Sequence, residues 1–211
     1  MPAGWTWARL GDVVTFTRRP RDLAMPDVVP FLPMTLVPQR GGVVSTFQRR
    51  SKAAIRAATY FEEGDFVLAR ITPCFENGKQ GVVRGLPGGW GLGSTELVAM
   101  RSDIVTTDYL AQVFRSSSVR NGLRRRMQGA SGRLRLSRGA VADVIVPVPP
   151  LEVQEEIAEV VNDLFETIDA GQDAFVAAAE AVDDYERSLL VAAMTGRPRR
   201  GTSRGGESLL N

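Results

Sequence analysis

The polar residues with the clearest chemical potential lie in the stretch RITPCFENGKQG, residues 70–81. It follows an apolar run and carries Arg70, Thr72, Asn77 and Lys79, whose donors suit phosphate oxygens and base edges. The Asn-Gly pair near its centre is equally typical of an ordinary turn. The residue types therefore leave two interpretations open, a loop that contacts nucleic acid and a structural turn.

A second basic stretch, RRRMQGASGRLRLSRG at residues 124–139, contains six arginines and no acidic residue. Small residues lie between the basic ones, as suits a loop on a phosphate backbone with one or two arginines reaching guanine edges. The alternative is a solvated run of charge. A third run, FQRRSKAAIR at residues 47–56, is a weaker candidate.

Charge is divided unevenly along the 211 residues, although the whole chain carries only +2. Residues 1–150 hold 21 Lys and Arg against 11 Asp and Glu, a net of +10. Residues 151–196 hold 1 against 12, a net of −11, and residues 197–211 hold 4 against 1, a net of +3. This asymmetry indicates one surface for a polyanion and another for a different task, and it favours binding by the arginine-rich stretch.

The composition argues against most kinds of catalytic site. The chain has no histidine and a single cysteine, Cys74, which removes Ser-His and Cys-His nucleophile pairs, disulfides and Cys-rich zinc sites. GWGLGSTE, residues 89–96, fits neither a Walker loop nor a dinucleotide fingerprint, and it predicts a glycine loop before a strand. A nuclease that depends on carboxylates stays open as an alternative, which metal-dependent cleavage by the isolated chain would support.

The first 150 residues predict a mixture of strands and helix. Short apolar runs predict strands at residues 12–17, 66–71, 81–83, 96–100 and 142–148. Helical spacing of Tyr109, Leu110, Val113 and Phe114 predicts a helix that Thr107 or Asp108 caps. No apolar run is long enough for a membrane helix and no signal-peptide core is present, so we expect a cytoplasmic protein without membrane contact.

From residue 151 the pattern predicts a single long helix. Pro149 and Pro150 precede it, and Gly196 and Pro198 follow it. Apolar residues recur at alternating steps of four and three, which is typical of a coiled-coil seam that needs a partner helix. The seam comprises Ile157, Val161, Leu164, Ile168, Gly171, Phe175, Ala178, Val182, Tyr185, Leu189 and Ala192.

These patterns predict an α+β fold in three parts. Residues 1–150 form a mixed α/β domain, residues 151–196 a coiled-coil helix used for dimerisation, and residues 197–211, rich in Gly, Ser and Arg, a disordered tail.

An ordered set of motifs resembles the specificity (S) subunits of Type I restriction–modification systems. The joint VPVPPLEVQEE carries Pro147, Pro149, Pro150 and Gln154 where the family has I-P-x-P-P-x-x-E-Q, with Val153 in place of the usual Glu. The other matching stretches are GWTWARLGDV, FEEGDFVLARITPCFENGK, GSTELVAMR, DYLAQVFRSSSVRNGL, GASGRLRLS and YERSLLVAAMTG.

The resemblance implies a target recognition domain for double-stranded DNA followed by a conserved helix. S subunits usually carry two such units in tandem with antiparallel helices. One unit implies pairing with a second copy of itself or with another recognition chain. The resemblance also implies no catalysis and no cofactor in this chain, because modification (methyltransferase) subunits bring S-adenosylmethionine and a restriction subunit brings ATP and Mg²⁺ chemistry.

Within the matched motifs, Lys79, Arg133 and Arg135 are the leading candidates for DNA contact. Arg70, Thr72, Ser131 and Gly132 are second candidates. The main alternative is a DNA-binding or adaptor module whose helix serves as an oligomerisation stalk and which has no methyltransferase partner.

Overall fold

The computed structural model describes residues 2–130 and 132–196. The fold is α+β, as the sequence predicts, with mixed sheets and a long C-terminal helix. The strands are β1 (Thr6–Arg9), β2 (Thr15–Phe16), β3 (Val28–Leu32), β4 (Val43–Val44), β5 (Gln48–Ser51), β6 (Thr59–Glu62), β7 (Phe66–Ala69), β8 (Gln80–Val83), β9 (Trp90–Gly93), β10 (Leu97–Arg101) and β11 (Ile145–Val148). The helices are α1 (Leu10–Val13), α2 (Thr107–Arg115), α3 (Ser117–Arg124), α4 (Arg138–Ala142) and α5 (Leu151–Thr195).

A five-stranded sheet in the order β2-β10-β7-β8-β4 lies at the centre of the domain. Strand β7 is buried on both faces, which explains its uninterrupted apolar sequence. Phe66 and Leu68 pack into a cluster with Phe114 of α2, while Val67 and Ala69 pack with Phe61 on the other side. The runs at residues 66–71, 81–83 and 96–100 are therefore confirmed as strands β7, β8 and β10.

A second sheet, in the order β5-β3-β9-β6, covers one side of this core. The glycine loop predicted at residues 89–96 was wrong in part, because Trp90–Gly93 form strand β9. Its glycines allow Phe61 to pack closely: a Cβ at Gly91 would lie 2.9 Å from the Phe61 ring. The basic run at residues 47–56 contributes edge strand β5, where Arg50 stacks over Phe31 at 3.9 Å.

The structure differs from the sequence predictions at two strand boundaries and at one helix cap. Residues 12–17 hold the end of α1 before the short strand β2, and residues 142–148 begin as the end of α4 before β11. The predicted cap at Thr107 or Asp108 was wrong by one residue, because the side chain of Thr106 accepts from the Tyr109 amide at 3.2 Å.

The first turns of α5 belong to the compact globular unit, which ends at Asn162. Gln154 is 1% exposed; its side chain accepts from the Thr106 amide at 2.8 Å and donates to the Pro149 carbonyl at 3.0 Å. Ile157 packs against the larger core cluster. The predicted boundary at residue 150 thus marks where the helix starts, while the compact unit continues to Asn162.

The second unit, described from Asp163 to Gly196, is the remainder of α5. Most of its apolar side chains are exposed, with Phe175 at 76% and Leu164 at 57%, whereas Phe165 and Ala192 are half-buried. Within the described residues, no helix combines the length and apolarity that crossing a bilayer requires.

A buried carboxylate anchors the turn between β6 and β7. The Asp65 side chain is fully buried, accepts from the Glu62 amide at 2.8 Å, and lies 2.6 Å from Nη2 of Arg101. Burial raises the pKa of Asp65. Arg101 also pairs with Glu62 at 2.7 Å, so one guanidinium balances two carboxylates.

Replacing Arg101 with methionine is expected to lower the free energy of unfolding by about 2–3 kcal/mol at pH 7, because Asp65 would stay buried without its cation. A carboxyl whose pKa is higher in the folded than in the unfolded chain lowers stability fully above the folded pKa, and this cost falls to zero below the unfolded pKa. The loss should therefore shrink as the pH falls toward 5. Urea denaturation at pH 7 and pH 5 measures both effects.

Arg84→Met is the matched control, because Arg84 pairs with Asp108 at 2.7 Å where both side chains are about 40% exposed. It should cost less than about 1 kcal/mol, since exposed ion pairs contribute little. An equal loss for Arg101→Met at both pH values would contradict this role for Asp65.

Candidate nucleic-acid interface

Three stretches that are far apart in sequence meet at one end of the central sheet. The amide of Arg70 donates to the carbonyl of Glu96 at 2.9 Å, and the amide of Leu136 donates to the carbonyl of Arg70 at 2.8 Å. The amide of Thr72 donates to the carbonyl of Leu134 at 2.9 Å. The segment that follows β7 is thus hydrogen-bonded on one side to Glu96, the residue before β10, and on the other side to the arginine-rich stretch.

The described residues of the arginine-rich stretch pair as a hairpin, residues 128–130 with residues 132–135, which we call the arginine hairpin. Gln128 and Arg135 exchange backbone hydrogen bonds of 3.0 and 2.8 Å at its base. Gly129 has a φ of 138°, and a Cβ there would lie 2.7 Å from the Arg133 carbonyl oxygen, so the hairpin requires glycine at this position. Ser131, a candidate contact from sequence, lies outside the described residues.

The base of this hairpin carries an ionic cluster of Glu96, Arg135 and Arg70, which we call the Glu96 cluster. Nε of Arg135 donates to both Glu96 carboxylate oxygens at 2.9 and 3.0 Å, and Nη2 lies 2.8 Å from Oε1. Nε of Arg70 lies 3.7 Å from the same carboxylate. The hydrogen bond and charge of Glu96 raise the pKa of Arg135, whose side chain is 45% exposed. Two of the arginines expected from sequence are therefore neighbours that share one anion.

The candidates at the hairpin tip occupy a different environment. Gly132 has a φ of 79°, and the amide of Arg133 donates to the Ala130 carbonyl at 3.0 Å. Among the described residues, no hydrogen bond or ion pair of the Arg133 side chain is found. An exposed arginine at a hairpin tip suits contact with phosphate oxygens, whose position along a duplex varies little with sequence.

The loop at residues 71–79 places Lys79 and Thr72 in structural contacts. The Lys79 ammonium donates to the carbonyls of Met34 and Val37 at 2.8 and 3.0 Å. The Thr72 hydroxyl donates to the Glu76 carboxylate at 2.9 Å. Two of the three Lys79 donors therefore bond the backbone of the segment after β3, and its contact with DNA stays a prediction, as do those of Arg133 and Arg135.

Arg120 supports this loop from beneath, and sequence reasoning missed it. Its guanidinium donates to the Phe75 carbonyl, to Gln80 Oε1 at 2.8 Å and to the Phe114 carbonyl at 2.8 Å. Burial lowers the pKa of Arg120. An arginine on a short helix has the same sequence signature whether it faces solvent or a loop, so nothing in the sequence marks this role.

Three further arginines lie at the end of α3 and just before the arginine hairpin. Arg124, Arg125 and Arg126 are all exposed and immediately precede the hairpin. Within residues 2–130 and 132–196, no group of three or more acidic or cysteine side chains is arranged to hold a metal ion. The surface offers fixed hydrogen-bond donors and positive charge, the chemistry that contacts a nucleic-acid backbone and base edges.

The seam on α5 differs along its length. In the globular unit Ile157 packs on the core and Val161 is half-buried. Beyond residue 163 the seam residues are exposed except for Ala192, which is half-buried, and the large ones range from 40% exposed at Leu189 to 76% at Phe175. The exposed seam residues named for dimerisation are Leu164, Ile168, Phe175, Val182, Tyr185 and Leu189.

Comparison with known proteins gives one consistent result. A family model described as the Type I restriction modification DNA specificity domain matches residues 2–174. Over 160 residues the chain is 32% identical to the Escherichia coli Type I restriction enzyme EcoAI specificity subunit and 30% identical to the EcoEI specificity subunit. Each match covers 74% of this chain and 27% of the relative.

Solved structures share the fold. The HsdS subunit from Thermoanaerobacter tengcongensis superposes with a TM-score of 0.67 and 21% identity, over 100% of this chain and 52% of that one. A chain from a study of complex assembly and conformational transition of the type I R-M system also gives 0.67, with 18% identity, over 92% and 46%. The chain thus spans about a quarter of the curated relatives and about half of these solved chains.

Proposed function

The chain belongs to the Type I restriction modification DNA specificity domain family, and on this premise we propose that it reads one half of a bipartite DNA target for a methylating and cleaving assembly. The observation that carries the proposal is the Glu96 cluster beside the arginine hairpin. Within the cluster, Glu96 holds the guanidinium of Arg135 in a fixed orientation. The guanidinium of Arg133 lies nearby, at the tip of the arginine hairpin. A guanidinium in a fixed orientation suits paired hydrogen bonds to a base edge, and an exposed arginine at a hairpin tip suits contact with phosphates.

The net charge supports binding to a polyanion. Residues 1–150 carry +10, whereas residues 151–196 carry −11. Neutralising phosphates releases counterions, so affinity should fall by about 0.9 log unit per log unit of salt for each phosphate contact. The acidic helix would be repelled by the same duplex, which leaves it for contacts with protein.

In this proposal the chain performs no chemistry. The modification subunits supply S-adenosylmethionine and methyl transfer, and a restriction subunit, where one joins the assembly, supplies ATP- and Mg²⁺-dependent cleavage. The contribution of this chain is to choose the site and to orient partners on it.

The proposal includes pairing through α5. The exposed seam beyond residue 163 would pack antiparallel against the same seam of a second copy. Such a dimer has a two-fold axis, so its two recognition domains would read identical half-sites in opposite orientations, an interrupted palindrome.

Arg135→Ala is expected to weaken binding to the target by about 1–3 kcal/mol and to relax preference at one base pair, because a base contact would be lost. Selection of bound duplexes from a random pool, with the full chain and its modification subunits, measures both. Arg133→Ala should instead weaken target and non-target duplexes alike and reduce the salt slope by about one.

Arg84→Ala is the matched control, since it removes one arginine of similar exposure that is paired with Asp108. It should leave the selected sequence unchanged. If Arg135→Ala and Arg133→Ala both select and bind as the parent does, the arginine hairpin is not the reading element.

A further inference from the structure

We propose that Glu96 is a positioning residue that sets sequence selectivity: it holds Arg135 along one guanidinium edge, directs the other edge to a base, and reduces attraction to DNA of any sequence. The inference rests on the proposed function and adds to it a residue that touches neither base nor phosphate. Neither the charge pattern nor the arginine motifs distinguish Glu96 from an ordinary surface acid.

The geometry of the contact determines which donors remain. Arg135 uses Nε, at 2.9 and 3.0 Å from the two carboxylate oxygens, and Nη2, at 2.8 Å. Both nitrogens lie on one side of the planar guanidinium. The adjacent edge, formed by Nη1 and the second N–H of Nη2, keeps a pair of parallel N–H donors that match O6 and N7 of guanine.

Both partners of this contact are fixed by backbone pairing. Arg135 forms β-bridges with Gln128 on one side and with Ile71 on the other. The carbonyl of Glu96 accepts from the Arg70 amide at 2.9 Å, and the Glu96 side chain is only 20% exposed. The backbone of Arg135 is paired and its Nε is hydrogen-bonded, so the side chain has lost most of its rotamers before DNA binds. Binding a base therefore costs little further conformational entropy.

The charge of Glu96 has a second effect. One carboxylate lies against two guanidinium groups, so the Glu96 cluster carries a net charge of +1 from its two arginines and one acid. The Glu96 carboxylate therefore weakens the electrostatic attraction of Arg135 to phosphate, while the free N–H groups of Arg135 can still donate to a base. Selectivity gained by weakening the wrong complexes is a common device at binding surfaces.

Glu96→Gln separates positioning from a purely structural role, because the two roles change opposite quantities. The full chain with its modification subunits is titrated with a duplex carrying the sequence that the parent selects and with a scrambled duplex, over a range of salt. The variant should bind the selected duplex about 10-fold more weakly. It should bind the scrambled duplex as well as the parent or better, with a salt slope steeper by about one, because Arg135 becomes available to phosphate.

Asp143→Asn is the control for net charge. It also turns one carboxylate that pairs with an arginine, Arg9, into an amide, at a half-exposed position. It should leave selectivity and the salt slope as in the parent. A loss of binding to both duplexes by the same factor in Glu96→Gln, or no change in either, would overturn the inference.

A double-variant cycle tests whether Glu96 acts through Arg135. In an Arg135→Ala background, Glu96→Gln should leave the ratio of selected to scrambled affinity unchanged within about 2-fold, because the group that it positions is gone. A further loss of selectivity in that background would mean that Glu96 contacts DNA itself and would overturn the inference. A parent that prefers no sequence would instead contradict the proposed function, so the two failures are distinguishable.

Discussion

Leu164→Glu is expected to convert the paired protein into a monomer. A leucine lost from a packed seam costs about 2–5 kcal/mol, and the two-fold axis of the proposed dimer repeats the loss. The glutamate would also have to be desolvated on both sides. Because each 1.4 kcal/mol is a factor of ten, association should weaken by about three orders of magnitude or more. Sedimentation equilibrium of the full chain measures the change directly.

Ala170→Glu provides the matched control, because it adds the same charge to the same helix away from the seam. Ala170 lies between seam positions Ile168 and Gly171 and is exposed. This variant should stay dimeric, and both variants should retain the helical signal of the parent in circular dichroism. A dimer that survives Leu164→Glu, or that Ala170→Glu disrupts equally, would show that this seam is not the interface.

Deleting residues 168–174 is expected to shorten the spacer of the DNA target by about three base pairs while both half-sites stay the same. Removal of one heptad keeps the seam in register, because Leu164 is then followed by Phe175 at the four-residue step. At 1.5 Å per residue the helix loses about 10 Å. One base pair spans about 3.4 Å, which gives the three base pairs. Methylation mapping in cells that express the variant with its modification subunits reads the spacer.

A five-residue deletion, residues 168–172, is the control that shortens the helix without keeping the seam in register. It rotates the rest of the seam by about 140° around the helix, so pairing and methylation should both fail. An unchanged spacer after the seven-residue deletion would contradict the helix as the element that sets the distance between half-sites. An asymmetric bipartite target for the parent would show that its partner is a different recognition chain.

The sequence by itself determined the long helix, because its evidence is local and repeated. Five heptads of apolar spacing, bounded by Pro150 and Gly196, leave little choice of structure, and α5 runs from Leu151 to Thr195. Strands β7, β8 and β10 were predictable for a similar reason, since buried central strands are written as apolar runs. The resemblance to specificity subunits was also readable from ordered motifs, and the family match confirms it.

Tertiary structure alone decided the peripheral sheet and the candidate site. The sequence of strand β9 is rich in glycine and therefore resembles a loop. Its glycines are required because the Phe61 ring packs against them, and Phe61 lies thirty residues away, where no local pattern reveals it. Nothing in the local sequence indicates that the Lys79 ammonium bonds the carbonyls of Met34 and Val37. Glu96 meets Arg70 and Arg135 only because backbone ladders align three separate stretches. Local patterns report the period and burial of an element, whereas the partner of a charged side chain depends on long-range pairing, and that pairing exists only in the folded chain.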